Sequence, residues 1–83
     1  MIEIEMTPQE QIATAGQKLI AGSYRFAVRA QPQNDAYVLS IKDAKGAVNV
    51  CFTNIELEKN HLNLDHFLSV KIKKALYVLD KAQ

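Results

Sequence analysis

Hydrophobic and polar residues alternate along three segments of the chain, with the period of two that is typical of strands with one buried face. The segments are residues 24–29, 37–42 and 48–53. A polar loop at residues 31–35 and a turn at residues 43–46 separate them. We therefore predict a meander of three antiparallel strands.

Helical patterns lie on both sides of the meander. Thr7 is a favourable N-cap, Pro8 suits the first helical position and Glu10 completes a capping box, which predicts a helix of about three turns. Gly22 is expected to end this helix in the left-handed conformation, and Gly46 to take a positive φ in the second turn of the meander. An apolar stripe with helical spacing predicts a second, longer helix near the C-terminus. Its residues are Leu68, Ile72, Ala75, Leu76 and Leu79.

Two further segments complete the chain. Residues 1–6 alternate between apolar side chains and glutamate, which predicts a short strand with an acidic outer face at the edge of a sheet. Residues 54–68 fit two patterns. The alternation continues through residues 55–58, whereas Asn60 or Asn63 could cap the start of a helix.

The order of elements is strand, helix, three-stranded meander and helix, or β-α-β-β-β-α. Because the strands are apolar on one side only, one face of the sheet is expected to be buried under the helices. The predicted fold is α+β, a two-layer sandwich in which an antiparallel sheet of three to four strands carries two helices on one face. Residues 1–83 are expected to form one domain. The predicted core residues are Ile12, Leu19, Ile20, Tyr24, Phe26, Val28, Leu39, Ile41, Val50, Phe52, Leu76 and Leu79.

Composition places the chain among ordinary globular proteins. Hydrophobic residues make up 48% and charged residues 23% of the sequence, and the formal net charge is +1. The longest apolar run, residues 75–79, is far shorter than the ~20 residues that a membrane span needs. Residues 1–6 do not resemble a secretory signal. Cys51 is the only cysteine, which excludes an internal disulfide, so we expect a cytoplasmic protein without membrane contact.

The residues that could carry catalysis or bind a metal show no informative spacing. Cys51 is expected to be an inert, partly buried thiol, and it would be a nucleophile only if the fold brought His61 or His66 to it. The two histidines lie about 140° apart on a helix, unlike the ligands of a one-sided metal site. No phosphate-binding, hydrolase or zinc-peptidase motif occurs. We expect a protein that is not an enzyme and holds neither cofactor nor metal, unless tertiary structure assembles a site.

The outward-facing positions of the meander combine small apolar, hydroxyl and basic side chains. This mixture resembles a modest protein interface, although a terminal segment that half covers the face would explain it equally well. The leading hypothesis is a small non-catalytic module that binds a protein partner, as a regulator, adaptor or inhibitor, or that pairs with itself as a homodimer. The partner-binding residues in this hypothesis are Arg25, Ala27, Arg29, Val38, Ser40, Lys42, Asn49 and Cys51.

The C-terminal helix is basic away from its apolar stripe, which supports an alternative hypothesis of nucleic-acid binding. Its lysines would neutralise phosphates and its tyrosine would stack on a base, with Arg25 and Arg29 as further contacts. The explanation we favour is a solvated helix face whose lysines complement the helix dipole. The net charge of +1 is low for a dedicated nucleic-acid binder. The residues of the alternative are Lys71, Lys73, Lys74, Tyr77 and Lys81.

The order helix, three strands, helix over residues 8–82 resembles that of the double-stranded RNA-binding domain. Residues 71–75, Lys-Ile-Lys-Lys-Ala, are similar to the basic run at the start of that family's second helix. The connection between residues 53 and 71 is longer than that family uses, and a strand is predicted before the first helix. We therefore treat the resemblance as one of element order, which does not transfer function.

Overall fold

A computed structural model describes residues 7–20, 22 and 24–81 of the chain. Helix α1 spans Pro8–Leu19, and the strands β1, β2 and β3 span Arg25–Gln31, Ala36–Lys42 and Ala47–Thr53. The short helix α2 follows at Asn54–Lys59 and the long helix α3 at Leu64–Lys81. Single 3₁₀ turns lie at Pro32–Asn34 and His61–Asn63. The strand predicted for residues 1–6 lies outside the described residues.

The three strands form an antiparallel sheet in the order β1-β2-β3, which confirms the predicted meander and agrees with the α+β class. Val28 pairs with Leu39, and Leu39 pairs with Val50, in a row that faces the core. Helix α1 packs mainly on β1, α3 mainly on β3, and the two helices contact each other. No helix in the described part of the chain is long and apolar enough to cross a membrane.

Apolar side chains from the inner side of the sheet, α1, α2 and α3 form one core. Of the predicted core residues, seven are buried and Leu19, Tyr24, Phe26, Val28 and Leu76 are partly buried. Gly16 lets α1 approach the sheet closely, because a Cβ there would lie 3.1 Å from the Phe26 ring. The buried core residues are Ile12, Ile20, Leu39, Ile41, Val50, Phe52, Leu57, Leu68, Ile72, Ala75 and Leu79.

Helix α1 begins after Thr7 as predicted, but among the described residues the Glu10 carboxylate bonds the Thr7 hydroxyl and not the Thr7 N–H of the predicted capping box. The Thr7 hydroxyl accepts a hydrogen bond from the Glu10 N–H at 3.2 Å and donates one to the Glu10 carboxylate at 3.1 Å. The end of the helix also differs from the prediction. The predicted left-handed end at Gly22 is wrong, because no described glycine has a positive φ. Instead Ile20 leaves the helix in an extended conformation and buries its side chain, which is 8% exposed. Burial of this apolar side chain accompanies the exit of the chain from the helix.

The turns of the meander depend on aspartate rather than on glycine. The Asp43 carboxylate accepts hydrogen bonds from the N–H groups of Lys45 and Gly46, both at 2.8 Å. Because this side chain closes the turn, Gly46 needs no positive φ, and the prediction for it is wrong. Asp35, with φ 50°, takes the left-handed conformation just before β2. The Asn54 N–H donates to the Asp35 carbonyl at 2.9 Å and joins this turn to α2.

Helix α2 resolves the segment for which the sequence left two patterns open. The Thr53 hydroxyl accepts from the Glu56 N–H at 3.1 Å, and the Glu56 carboxylate accepts from the Thr53 N–H at 3.2 Å. This capping box starts the helix directly at the end of β3. Leu57 is buried and Ile55 is 64% exposed, whereas continued alternation would have placed both on one face. The long helix α3 starts at Leu64, directly after Asn63, which agrees with the second of the two patterns.

Replacing Thr53 with alanine is expected to lower the free energy of unfolding by about 1 kcal/mol, because the first turn of α2 loses its side-chain acceptor. Urea denaturation followed by circular dichroism measures this change. Thr53→Ser retains the hydroxyl and serves as the matched control, expected within about 0.5 kcal/mol of the wild-type protein. Equal stability of the alanine and serine variants would contradict the role assigned to this cap.

Candidate functional site

The predicted partner-binding residues lie on one face of the sheet, which we call the outer face: the outward-facing side chains of β1, β2 and β3. Pairing aligns them in rows across the sheet. In one row Val38 lies between Arg29 and Cys51, and in the next Ser40 lies between Ala27 and Asn49. In the third row Arg25 lies opposite Lys42. The structure therefore brings all eight residues together on contiguous positions.

The outer face carries three cations and no carboxylate. Arg25, Arg29 and Lys42 are all exposed, and the three strands contain no Asp or Glu. Among the described residues, Lys71–Glu56 is the one ion pair, so none of the three cations is paired with a carboxylate there. Like charges directly opposite in an antiparallel pair are unfavourable, and Arg25 faces Lys42 in this way.

The side chains at the centre of the outer face are small, and their polar groups form hydrogen bonds with each other. Val38 is 8% exposed between its two cross-strand neighbours. The Ser40 hydroxyl donates a hydrogen bond to the Asn49 side-chain carbonyl at 2.8 Å, so two polar groups of the face satisfy each other. Cys51 is exposed, and its predicted partial burial is wrong because it stands on a strand at the edge of the sheet. The face thus offers the small exposed side chains of Ala27 and Cys51, with positive charge around them.

Lys71 does not lie on the solvent side of α3, where the basic pattern of this helix places it. Its ammonium donates to the Cys51 carbonyl at 2.5 Å and forms a salt bridge with Glu56 at 3.3 Å. It also lies 4.8 Å from the centre of the Phe52 ring and 5.5 Å from that of Phe67, distances typical of cation–π contacts. Lys71 therefore joins α3 to the end of β3 and the start of α2, and its ammonium is committed to this joint.

The other residues of the nucleic-acid hypothesis lie on the solvent side of α3. Lys73, Lys74 and Lys81 are exposed, and Tyr77 is 62% exposed. The Lys81 ammonium lies 5.5 Å from the centre of the Tyr77 ring. The structure brings these four residues onto one exposed side and separates Lys71 from them. Nucleic-acid binding by α3 stays a prediction that rests on the remaining lysines.

Cys51 and the two histidines show no catalytic arrangement in the part of the chain that the structure describes. The Cys51 thiol makes no hydrogen bond there, and the ring Nδ1 of His61 lies 2.8 Å from the Glu58 carbonyl oxygen. His61 and His66 are both exposed. No three His, Cys, Asp or Glu side chains within residues 7–20, 22 and 24–81 are grouped so that they could hold a metal ion.

Comparisons of this chain with protein-family models, with curated proteins and with solved structures found no match. Its function is accordingly inferred from the chemistry of its own surfaces.

The contacts of Glu56 predict a pH dependence of stability. The Thr53 N–H, and in addition the Lys71 ammonium, lower the pKa of Glu56 from its ordinary value of 4.5, against the opposing effect of desolvation. A carboxyl whose pKa is lower in the folded than in the unfolded state stabilises the fold at pH values above its unfolded-state pKa. That stabilisation is lost as the pH falls through the folded-state value.

We therefore expect Glu56→Gln to lower the free energy of unfolding most at neutral pH, with a difference from wild type that shrinks as the pH falls below 4.5. Urea denaturation between pH 7 and pH 3 measures it. Glu58→Gln removes an exposed carboxylate of the same helix and is the matched control. A loss for Glu56→Gln that stays constant over this pH range would show that the carboxylate's charge contributes nothing.

Proposed function

We propose that this protein is a non-catalytic binding module whose outer face docks on an acidic surface of a partner protein. The observation that carries the proposal is the exposed cluster of Arg25, Arg29 and Lys42, which has no carboxylate partner among the described residues. By occupying a surface of a larger protein, such a module would act as a regulator, an adaptor or an inhibitor.

The placement of Arg25 opposite Lys42 supports an anionic partner. Two like charges at this position weaken strand pairing, and neighbouring carboxylates on the same face would relieve the repulsion. The three strands provide none. Carboxylates from a partner would supply the missing charge, speed the encounter and fix the orientation of the complex.

The composition of the outer face favours a protein over a nucleic acid. Recognition of single-stranded nucleic acids depends on aromatic side chains on which bases stack. The aromatic residues of the three strands, Phe26, Tyr37 and Phe52, all belong to the core cluster or pack against it on the opposite face. The outer face offers the exposed side chains of Ala27 and Cys51 beside arginine and hydroxyl groups, a composition suited to a small protein interface.

Self-association through the outer face is unfavourable for the same electrostatic reason. Two copies that met face to face would bring Arg25, Arg29 and Lys42 of one copy against those of the other, without carboxylates on either strand surface. We therefore assign this face to a different protein. A homodimer, if it forms, would use another surface.

The decisive experiment uses the purified full chain as bait in native lysate treated with nuclease, with quantitative mass spectrometry of the recovered proteins. We expect one dominant protein, and at least a tenfold loss of affinity for it when Arg29→Glu and Lys42→Glu are combined. The reason is that charge reversal on the face repels an acidic partner. Binding of the wild-type chain to that purified protein should weaken as salt is raised.

The matched control is Lys18→Glu combined with Lys73→Glu, the same change of charge at two exposed helix positions away from the outer face. Circular dichroism verifies that both double variants fold. Equal recovery of the partner by the outer-face variant and the wild-type chain would refute the proposal. Recovery that disappears with nuclease and with Lys73→Ala/Lys74→Ala would favour the nucleic-acid alternative instead.

A further inference from the structure

Strand β3 leaves part of its backbone open at the edge of the sheet. In an antiparallel strand the N–H and C=O of one residue point to the same side, and the side alternates along the strand. The Cys51 carbonyl accepts from Lys71 and the Thr53 N–H donates to Glu56, which shows that these residues point away from β2. By this alternation Ala47 and Asn49 point the same way. No other backbone group of the described residues pairs with them on that side.

Helix α3 runs alongside this open edge. Lys71 contacts Cys51 near one end of β3, while the Leu79 side chain lies 3.6 Å from a Cβ placed on Gly46, just before the other end. The helix therefore runs antiparallel to the strand. Between them lies a groove of about 450 Å³, which we call the β3–α3 groove.

Most of the lining of the β3–α3 groove is apolar. Val70 and Val78 of α3 are 50% and 51% exposed, which leaves half of each side chain free for contact. Val70, Lys74 and Val78 follow one another at intervals of four residues, or about 6 Å along the helix. This interval is close to the ~6.7 Å between neighbouring side chains on one face of a strand. A strand laid against α3 would therefore match its side-chain spacing. The groove is lined chiefly by Val48, Val50, Val70, Lys74, Ala75 and Val78.

We propose that the β3–α3 groove binds an extended segment of another protein by adding it as a strand to the edge of β3. On the face toward α3, every second residue of this segment is apolar, acidic and apolar in turn, to match Val70, Lys74 and Val78. Its apolar side chains would pack on Val70 and Val78, and its backbone would pair with Ala47, Asn49 and the Cys51 N–H. Addition of a strand to an open edge gives affinity through main-chain hydrogen bonds and specificity through alternate side chains.

The charge of the groove selects an acidic segment over a second copy of this chain. Its lining contains Lys71 and Lys74 and no carboxylate. Lys71 is paired with Glu56, whereas Lys74 is exposed and has no ion pair with the described residues. Two β3 edges paired about a two-fold axis would bring the lysines of both copies together, which is unfavourable. Glutamates or aspartates in the bound segment would instead neutralise Lys74.

This surface borders the outer face at Asn49 and Cys51 but uses their backbone and the side chains of α3, so either proposal can fail without the other. The test uses the fluorescent octapeptide Val-Thr-Glu-Thr-Val-Thr-Glu-Thr, whose valines and glutamates share one face of a strand. It is added to the full chain and followed by fluorescence anisotropy and by amide hydrogen exchange. We expect saturable binding, with slower exchange of the Ala47 and Asn49 amides. A peptide with lysine in place of glutamate is expected to bind at least tenfold more weakly.

Two variants separate the groove from the rest of α3. Val70→Ser combined with Val78→Ser changes two half-exposed side chains, so the fold should survive, and peptide affinity is expected to fall at least tenfold. Tyr77→Ser alters a 62% exposed side chain outside the groove lining and should leave the affinity within twofold. A peptide N-methylated at the amides that face β3 should not bind, because it cannot complete the strand pairing.

Three results would overturn the proposal. One is equal binding of the peptide to the wild-type chain and the Val70→Ser/Val78→Ser variant. Another is full binding of the N-methylated peptide, which would show contact by charge alone. The third is a dimer of the chain without peptide, measured by sedimentation, that is lost in the Val70→Ser/Val78→Ser variant, because a second copy would then occupy the groove.

Discussion

Alternation along β1, β2 and β3 is the constraint on which the rest of this structure depends. It places Phe26, Leu39 and Val50 on the side of the sheet that α1 and α3 cover. The same alternation sends every charged strand residue to the opposite side, where Arg25 faces Lys42. The core and the basic outer face are therefore two results of one pattern. A shift of register by one residue would exchange them and expose the core.

Lys71 joins the elements that this pattern leaves separate. Its ammonium contacts the Cys51 carbonyl, the Glu56 carboxylate and two aromatic rings, and so connects β3, α2 and α3. The capping box between Thr53 and Glu56 orients the carboxylate that Lys71 meets. The joint closes one end of the β3 edge, and the edge remains open from there to Ala47. The same contact thus stabilises the fold and limits the length of the β3–α3 groove.

The two proposed surfaces meet at β3 and differ in chemistry. The Cys51 side chain lies on the outer face while its backbone lies at the open edge, so a strand added there would extend the sheet. The outer face offers dispersed positive charge around small exposed side chains. The groove offers a row of apolar side chains and backbone groups that are unpaired in the described part of the chain. Both favour acidic partners, because the cations near them, except Lys71, have no carboxylate partner in the described residues.

The sequence by itself determined the meander, the cap of α1, the apolar stripe of α3 and the membership of the outer face. Each of these follows from periodicity or from contacts between residues close in the chain. The pattern Thr53 to Glu56 also contained the start of α2, but the continued alternation at Ile55 concealed it. Only the tertiary structure decided the pairing of Lys71 with partners 15 and 20 residues away, the turn at Ile20 and the open edge of β3. These depend on which elements pack together, and local patterns do not encode such long-range contacts.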